Sequence, residues 1–134
     1  MTTDDLIERA ASVLKPHTTE DGRLLGDVGA ALVGDSGQVY TGVCVDLPAL
    51  NICAERSAMA AMVTAGEYRI RTVVAVWRDP ETNGLHVLPP CGVCREAMRQ
   101  LDEANLDTQV ILGRNETKVL KDLLPHHEWP EPLE

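Results

Sequence analysis

Two short segments, Cys53-Ala54-Glu55 and Pro90-Cys91-Gly92-Val93-Cys94, constrain this chain more than any other feature, because each stands at the start of a helical run. If their thiols act together, the fold must bring two helix N-termini to one place. Cys91 and Cys94, three apart in a first helical turn, lie on one face about 5–6 Å apart, close enough to share a metal. Each N-terminus carries partial positive charge and free N–H groups, which favour thiolate over thiol. Cys53, Cys91 and Cys94 therefore form a candidate set of zinc ligands. Three ligands leave one tetrahedral position for a water, and Glu55, two residues beyond Cys53, stands close enough to move protons without itself ligating.

The rest of the chain arranges itself around these segments. Thr3 can cap an amphipathic helix with apolar residues at 6, 10, 13 and 14 that ends by Pro16. Leu24 to Val33 and Gln38 to Val45 read as β-rich runs joined at Asp35-Ser36-Gly37, a hairpin. Asp46 to Asn51 is a loop. Ile52 to Ala65 is helical, stops at Gly66, and is apolar on nearly every side from Ala58 onward, as a helix enclosed by sheet or shared with another subunit would be. Ile70 to Trp77 is a buried strand, followed by a turn-rich connection through Asp79-Pro80 and Asn83-Gly84. A helix from Cys91 to Ala104, a fourth strand from Asp107 to Leu112 and a short amphipathic helix around Val119 to Leu124 complete the order. The expected class is α/β, a mixed sheet covered by helices.

Composition limits the function. A chain of 134 residues suits a single domain spanning 1–134, and its formal charge of −9 opposes binding to a nucleic-acid backbone. No basic, then apolar leader and no apolar run of membrane-spanning length is visible, so a cytoplasmic protein with no membrane partner is expected. Four cysteines in such a chain read as metal ligands or reactive thiols before they read as disulfides. With no Phe, two Trp and two Tyr, few side chains can stack on a flat ligand.

Three thiolates outweigh a zinc dication, so a compensating charge is needed nearby. Arg56 and Arg95 each follow a site motif, and at least one is expected to donate to a ligand sulfur. Cys44 can be a wall of the substrate pocket or, as a fourth thiolate, the residue that closes the metal shell and makes the site structural. A Cys-x-x-Cys pair alone would also suit a redox dithiol, but the added Cys-Ala-Glu argues against it. Asp46 serves either a polar substituent of a substrate or a turn. Trp129 is a candidate lid or stacking residue, within a 125–134 tail that a neighbouring subunit could order. Ala54 and Pro90, inside the motifs, are further candidate substrate contacts.

The combination resembles the cytidine deaminase family, in the small branch whose first zinc ligand is the cysteine of Cys-Ala-Glu. The resemblance runs from Val28-Gly29-Ala30-Ala31-Leu32 through Gly42 and both cysteine motifs to Leu123-Leu124-Pro125 with an aromatic in the tail. It implies a three-layer α/β/α fold with a mixed central sheet, Zn2+ on Cys53, Cys91 and Cys94, Glu55 as proton shuttle, and a homotetramer whose sites neighbouring subunits complete. It also implies hydrolytic deamination of a small-molecule, cytosine-type nucleoside, cytidine, deoxycytidine or an analogue such as blasticidin S, with a role in pyrimidine salvage; the same chemistry on another amino-heterocycle such as a purine or pterin is an alternative. A non-catalytic zinc-stabilised protein is the competing class. Where relatives acting on cytidine usually hold an Asn and a Glu for the ribose, this chain has Cys44 and Asp46, and Gly26 stands where they tend to have Phe. Blasticidin S deaminases, similar in overall pattern and with a tryptophan near the C-terminus, also alter that segment.

Overall fold

The computed structural model describes residues 1–133; the last residue of the expected 125–134 tail lies outside them. In chain order the elements are α1 (Thr3–Ser12), β1 (His17–Thr18), β2 (Leu24–Leu25), β3 (Val28–Gly34), β4 (Val39–Val43), β5 (Val45–Asp46), β6 (Asn51–Ile52), α2 (Ala54–Thr64), β7 (Ile70–Arg78), β8 (Leu85–Leu88), α3 (Gly92–Leu101), a 3-10 turn (Glu103–Asp107), β9 (Gln109–Gly113), β10 (Glu116–Val119) and a second 3-10 turn (Leu120–Leu123).

The central sheet runs β10-β9-β7-β3-β4. It is mixed, because β7 lies antiparallel to β3 and parallel to β9. The edge of β7 away from β3 is shared: Thr72 and Val73 pair with β9, while Ala75 to Arg78 pair with β8. Alternation along the strands then builds two cores. Ala30, Leu32, Val73, Ala75 and Val110 face one way and pack with Met59 and Met62 of α2 and Met98 of α3. Ala31, Val33, Val74, Val76 and Ile111 face the other way, onto Leu6, Ile7 and Ala10 of α1. The result is three layers, α/β/α. Among the described residues, no helix is long and apolar enough to cross a membrane.

Helix α2 lies unusually close to β4, and Gly42 is the reason. A Cβ there would stand 2.5 Å from the Ala58 backbone nitrogen and 2.7 Å from Ser57 Cβ. Neither atom can retreat without moving the helix that begins at Cys53. Gly42→Ala is therefore expected to cost about 1–3 kcal/mol by overpacking, read as a lowered denaturant midpoint with an unchanged slope. An unchanged midpoint would show that α2 can shift freely.

Several sequence expectations move. Thr2, not Thr3, caps α1, since Thr2 Oγ1 accepts from Asp5 N at 3.1 Å and Asp5 Oδ2 from Thr2 N at 2.9 Å, a reciprocal box that only this spacing allows. The expected Cys91 to Ala104 helix stops at Leu101. Asp102 turns extended, and its side chain accepts from Ala104 N at 2.8 Å, opening a new 3-10 turn instead. Buried Asn105 secures that break: its Oδ1 accepts from Ile70 N at 2.7 Å, and its Nδ2 donates to Met98 O and Tyr68 O. The loop from Asp46 to Asn51 proves to be a small β5–β6 hairpin. Strands β8 and β10 were not expected, and β10 takes the place where the Val119 to Leu124 helix was to begin. Both are four-residue strands that fold back across a turn onto the strand before them, so their periodicity is too short to show them.

Candidate active site

Two helix starts converge on one corner of the sheet. Cys53 is the N-cap of α2 and Cys91 the N-cap of α3, both with extended backbone. Capping normally falls to a side-chain oxygen. Here Cys91 Sγ takes that place and accepts from Cys94 N at 3.4 Å. Cys94, in the first turn of α3, is buried, Cys53 is half-buried and Cys91 is exposed.

The sulfurs suit a tetrahedral metal. Cys53 Sγ lies 3.5 Å from Cys91 Sγ, and Cys91 Sγ lies 3.5 Å from Cys94 Sγ. All three fall within 4.8 Å of one another. Zinc–sulfur bonds of about 2.3 Å in a tetrahedron space their sulfurs by about 3.8 Å, whereas a disulfide would need about 2.05 Å. The charge balance points the same way. Burial, followed by the Glu55 carboxylate, pushes the Cys94 thiol well up, while Cys91 is held below its ordinary range: its own burial opposes this, but the Cys94 backbone N–H and the neighbouring thiols outweigh it. A divalent cation is what would let all three sulfurs ionise together.

Glu55 stands in the first turn of α2 and is only 5% exposed. Burial raises its carboxyl above the usual range, against the pull of its own backbone N–H and of Arg56. A buried carboxyl of raised pKa beside a metal site is suited to accept and return protons.

The two arginines diverge. Arg56 Nη2 donates to Cys53 Sγ at 3.4 Å, and hydrogen bonds to Cys53 and then Cys94 raise its pKa further. Its Nε is buried with no acceptor among the described residues. Arg95 turns from the sulfurs to main-chain carbonyls, with Nε to Pro90 O at 2.8 Å and Nη1 to Leu123 O at 3.0 Å.

A cavity of about 190 Å³ opens beside the cysteines, walled by Val28, Cys44, Cys53, Ala54, Glu55, Ala75, Leu88, Pro89 and Cys91. Pro90 is buried against the adjoining crevice that Glu55 also lines. Cys44 is thus at the cavity but outside the metal trio; its thiol donates to Asp27 Oδ1 at 3.1 Å, and burial and then that bond raise its pKa. Asp46 is exposed on β5 and Trp129 is 93% exposed, and neither is among the cavity walls. Sequence reasoning missed Asp27, Val28, Ala75, Leu88 and Pro89. Pro89, beside Pro90, and Val28, at the head of the family segment, carried a signal; Ala75 and Leu88 reach the site through strand pairing and Asp27 through its bond to Cys44.

Residues 2–112 match the family described as the cytidine and deoxycytidylate deaminase zinc-binding region. The chain is 35% identical over 104 residues to a cytidine deaminase of Halalkalibacterium halodurans, covering 73% of this chain and 74% of that one. It is 32% identical over 74 residues to a blasticidin-S deaminase of Bacillus cereus, covering 52% of this chain and 53% of that one. The crystal structure of cytidine deaminase from Burkholderia pseudomallei superposes with a TM-score of 0.73 at 28% identity, over 94% of this chain and 98% of that one.

Proposed function

Because this chain belongs to the cytidine and deoxycytidylate deaminase family of zinc-dependent hydrolases, we propose that it removes the exocyclic amine of a small cytosine-type nucleoside, releasing ammonia and leaving a uracil-type product. The observation that carries this reading is the buried Glu55 carboxyl on the wall of the cavity that Cys53 and Cys91 share.

Cys53, Cys91 and Cys94 would hold the zinc, which would supply Lewis acidity towards a water at the position they leave open. Glu55 moves the protons. Its carboxylate takes one from the attacking water and delivers it to the ring nitrogen beside the amine-bearing carbon; a second transfer, to the amine, lets ammonia leave. Arg56, donating to Cys53 Sγ, offsets part of the negative charge that three thiolates would place on the site. Val28, Ala75 and Leu88 exclude water from the ring.

The cavity, at about 190 Å³, is smaller than the roughly 300–1,000 Å³ of drug-sized ligand sites, so it accommodates the base and leaves the substituent at its mouth. Cys44, one of the cavity walls, has its hydrogen committed to Asp27 and therefore has no donor left for a sugar hydroxyl. That arrangement supports a cytosine nucleoside analogue such as blasticidin S as readily as cytidine or deoxycytidine. Ammonia release across cytidine, deoxycytidine, cytosine, blasticidin S and aminopurines decides the matter. Turnover is expected on the cytosine compounds, and its absence on all of them would remove the proposal.

The reading extends to a homotetramer acting in the cytoplasm in pyrimidine salvage. Exposed Ala60, Ala61 and Val63 on α2, with Val93 on α3, support an apolar face shared between subunits. A monomeric mass in sedimentation would contradict it.

A further inference from the structure

We propose that Arg95 is a positioning residue that fixes the Cys91 sulfur for the metal by clamping the loop before it to the C-terminal 3-10 turn. This rests on zinc being held by Cys53, Cys91 and Cys94, and not on which substrate is deaminated.

Packing fixes Cys94 and partly fixes Cys53, but Cys91 is exposed, and the one main-chain donor on its sulfur is Cys94 N at 3.4 Å. It also follows Pro89-Pro90. Neither proline has an N–H to donate, so the approach to this ligand cannot be secured by main-chain donors of its own. Only carbonyls remain, and Arg95 takes them. Its Nε donates to Pro90 O at 2.8 Å, and its backbone N–H donates to Cys91 O at 3.0 Å. The same guanidinium reaches Leu123 O at 3.0 Å.

The far end of the clamp is firm. Leu120, at the head of that 3-10 turn, is fully buried, and its N–H donates to Thr108 O at 2.9 Å. Thr108 Oγ1 in turn donates to Ile70 O at 2.7 Å, which ties the turn to the start of β7. Arg95 therefore transmits the rigidity of the core to its most exposed metal ligand. The planar guanidinium presents donors along several directions at once, whereas a lysine ammonium is one point at the end of a flexible stem. Arg99, on the same helix, bonds only the carboxylates of Glu96 and Glu103 among the described residues and makes a suitable control.

The test measures metal binding in the full chain, by zinc competition with a chromophoric chelator and by the visible spectrum of the cobalt(II) form. Arg95→Met is expected to weaken zinc about 10–100-fold and to alter the cobalt spectrum, with Arg95→Lys losing less and Arg99→Met behaving as wild type. Both readouts are independent of turnover, so they decide this role even if no substrate in the panel is deaminated. Zinc affinity and cobalt spectrum unchanged in Arg95→Lys and Arg95→Met, with or without a lowered melting temperature, would leave Arg95 a structural staple and overturn the proposal. Should Arg95→Met fail to fold, the Arg95→Lys affinity alone decides: weaker binding supports the clamp, and wild-type binding overturns it.

Discussion

Glu55→Gln is expected to lower kcat by about 10²–10⁴-fold while the protein keeps its full complement of zinc. The amide matches the carboxyl in size, so a side chain only 5% exposed is replaced without opening a cavity. What it lacks is a site that can take up and release a proton. Burial has raised the Glu55 carboxyl towards the working pH, the condition under which one group can serve as base and then as acid. A purely structural zinc protein would not notice the change, so steady-state turnover together with metal analysis separates the two classes. Turnover at the wild-type rate in a zinc-replete variant would take Glu55 out of the chemistry.

The second large effect falls on the metal. Cys94→Ala is expected to abolish both turnover and zinc retention, because Cys94 is fully buried between the two helix starts and, among the described residues, no sulfur beyond Cys53 and Cys91 joins the cluster to replace it. Cys44 is the remaining cysteine, and its thiol is directed to Asp27. Zinc binding to the native state stabilises by about 2.7 kcal/mol at a free concentration a hundred times the dissociation constant. A chelator should therefore lower the melting temperature of the wild type and leave that of Cys94→Ala where it is. Arg56→Gln should show a graded version, with zinc held about 10–100-fold more weakly, since it removes the donor to Cys53 Sγ and leaves the sulfurs themselves in place. One zinc per chain retained in Cys94→Ala, or wild-type affinity in Arg56→Gln, would contradict these roles.

Spacing made the metal trio legible before any coordinates. Cys91 and Cys94 are neighbours by helical geometry alone, and a helix start is recognisable at Cys53 because Gly66 ends the run and no other element fits the stretch. The mixed sheet followed from the alternation of strands and helices, which allows parallel neighbours such as β7 and β9 beside turn-joined antiparallel ones such as β3 and β4, although the β8 strand between β7 and α3 was not legible. The arginines show where such reasoning ends. Arg56 and Arg95 have the same relation to their motifs, yet one donates to a sulfur and the other to two carbonyls, one of them on Leu123.

Local chemistry thus determined which residues could bind a metal and move a proton, because ligand spacing, helix starts and strand alternation are properties of neighbouring positions. The tertiary structure decided what surrounds them: that Val28, Ala75 and Leu88 wall the cavity, that Cys44 is turned to Asp27 and away from the other thiols, and that the C-terminal turn reaches back to Arg95. Those contacts join β3, β7, β8 and the chain end, segments remote in sequence whose meeting is set by sheet order and by how closely helices can approach glycine-bearing strands.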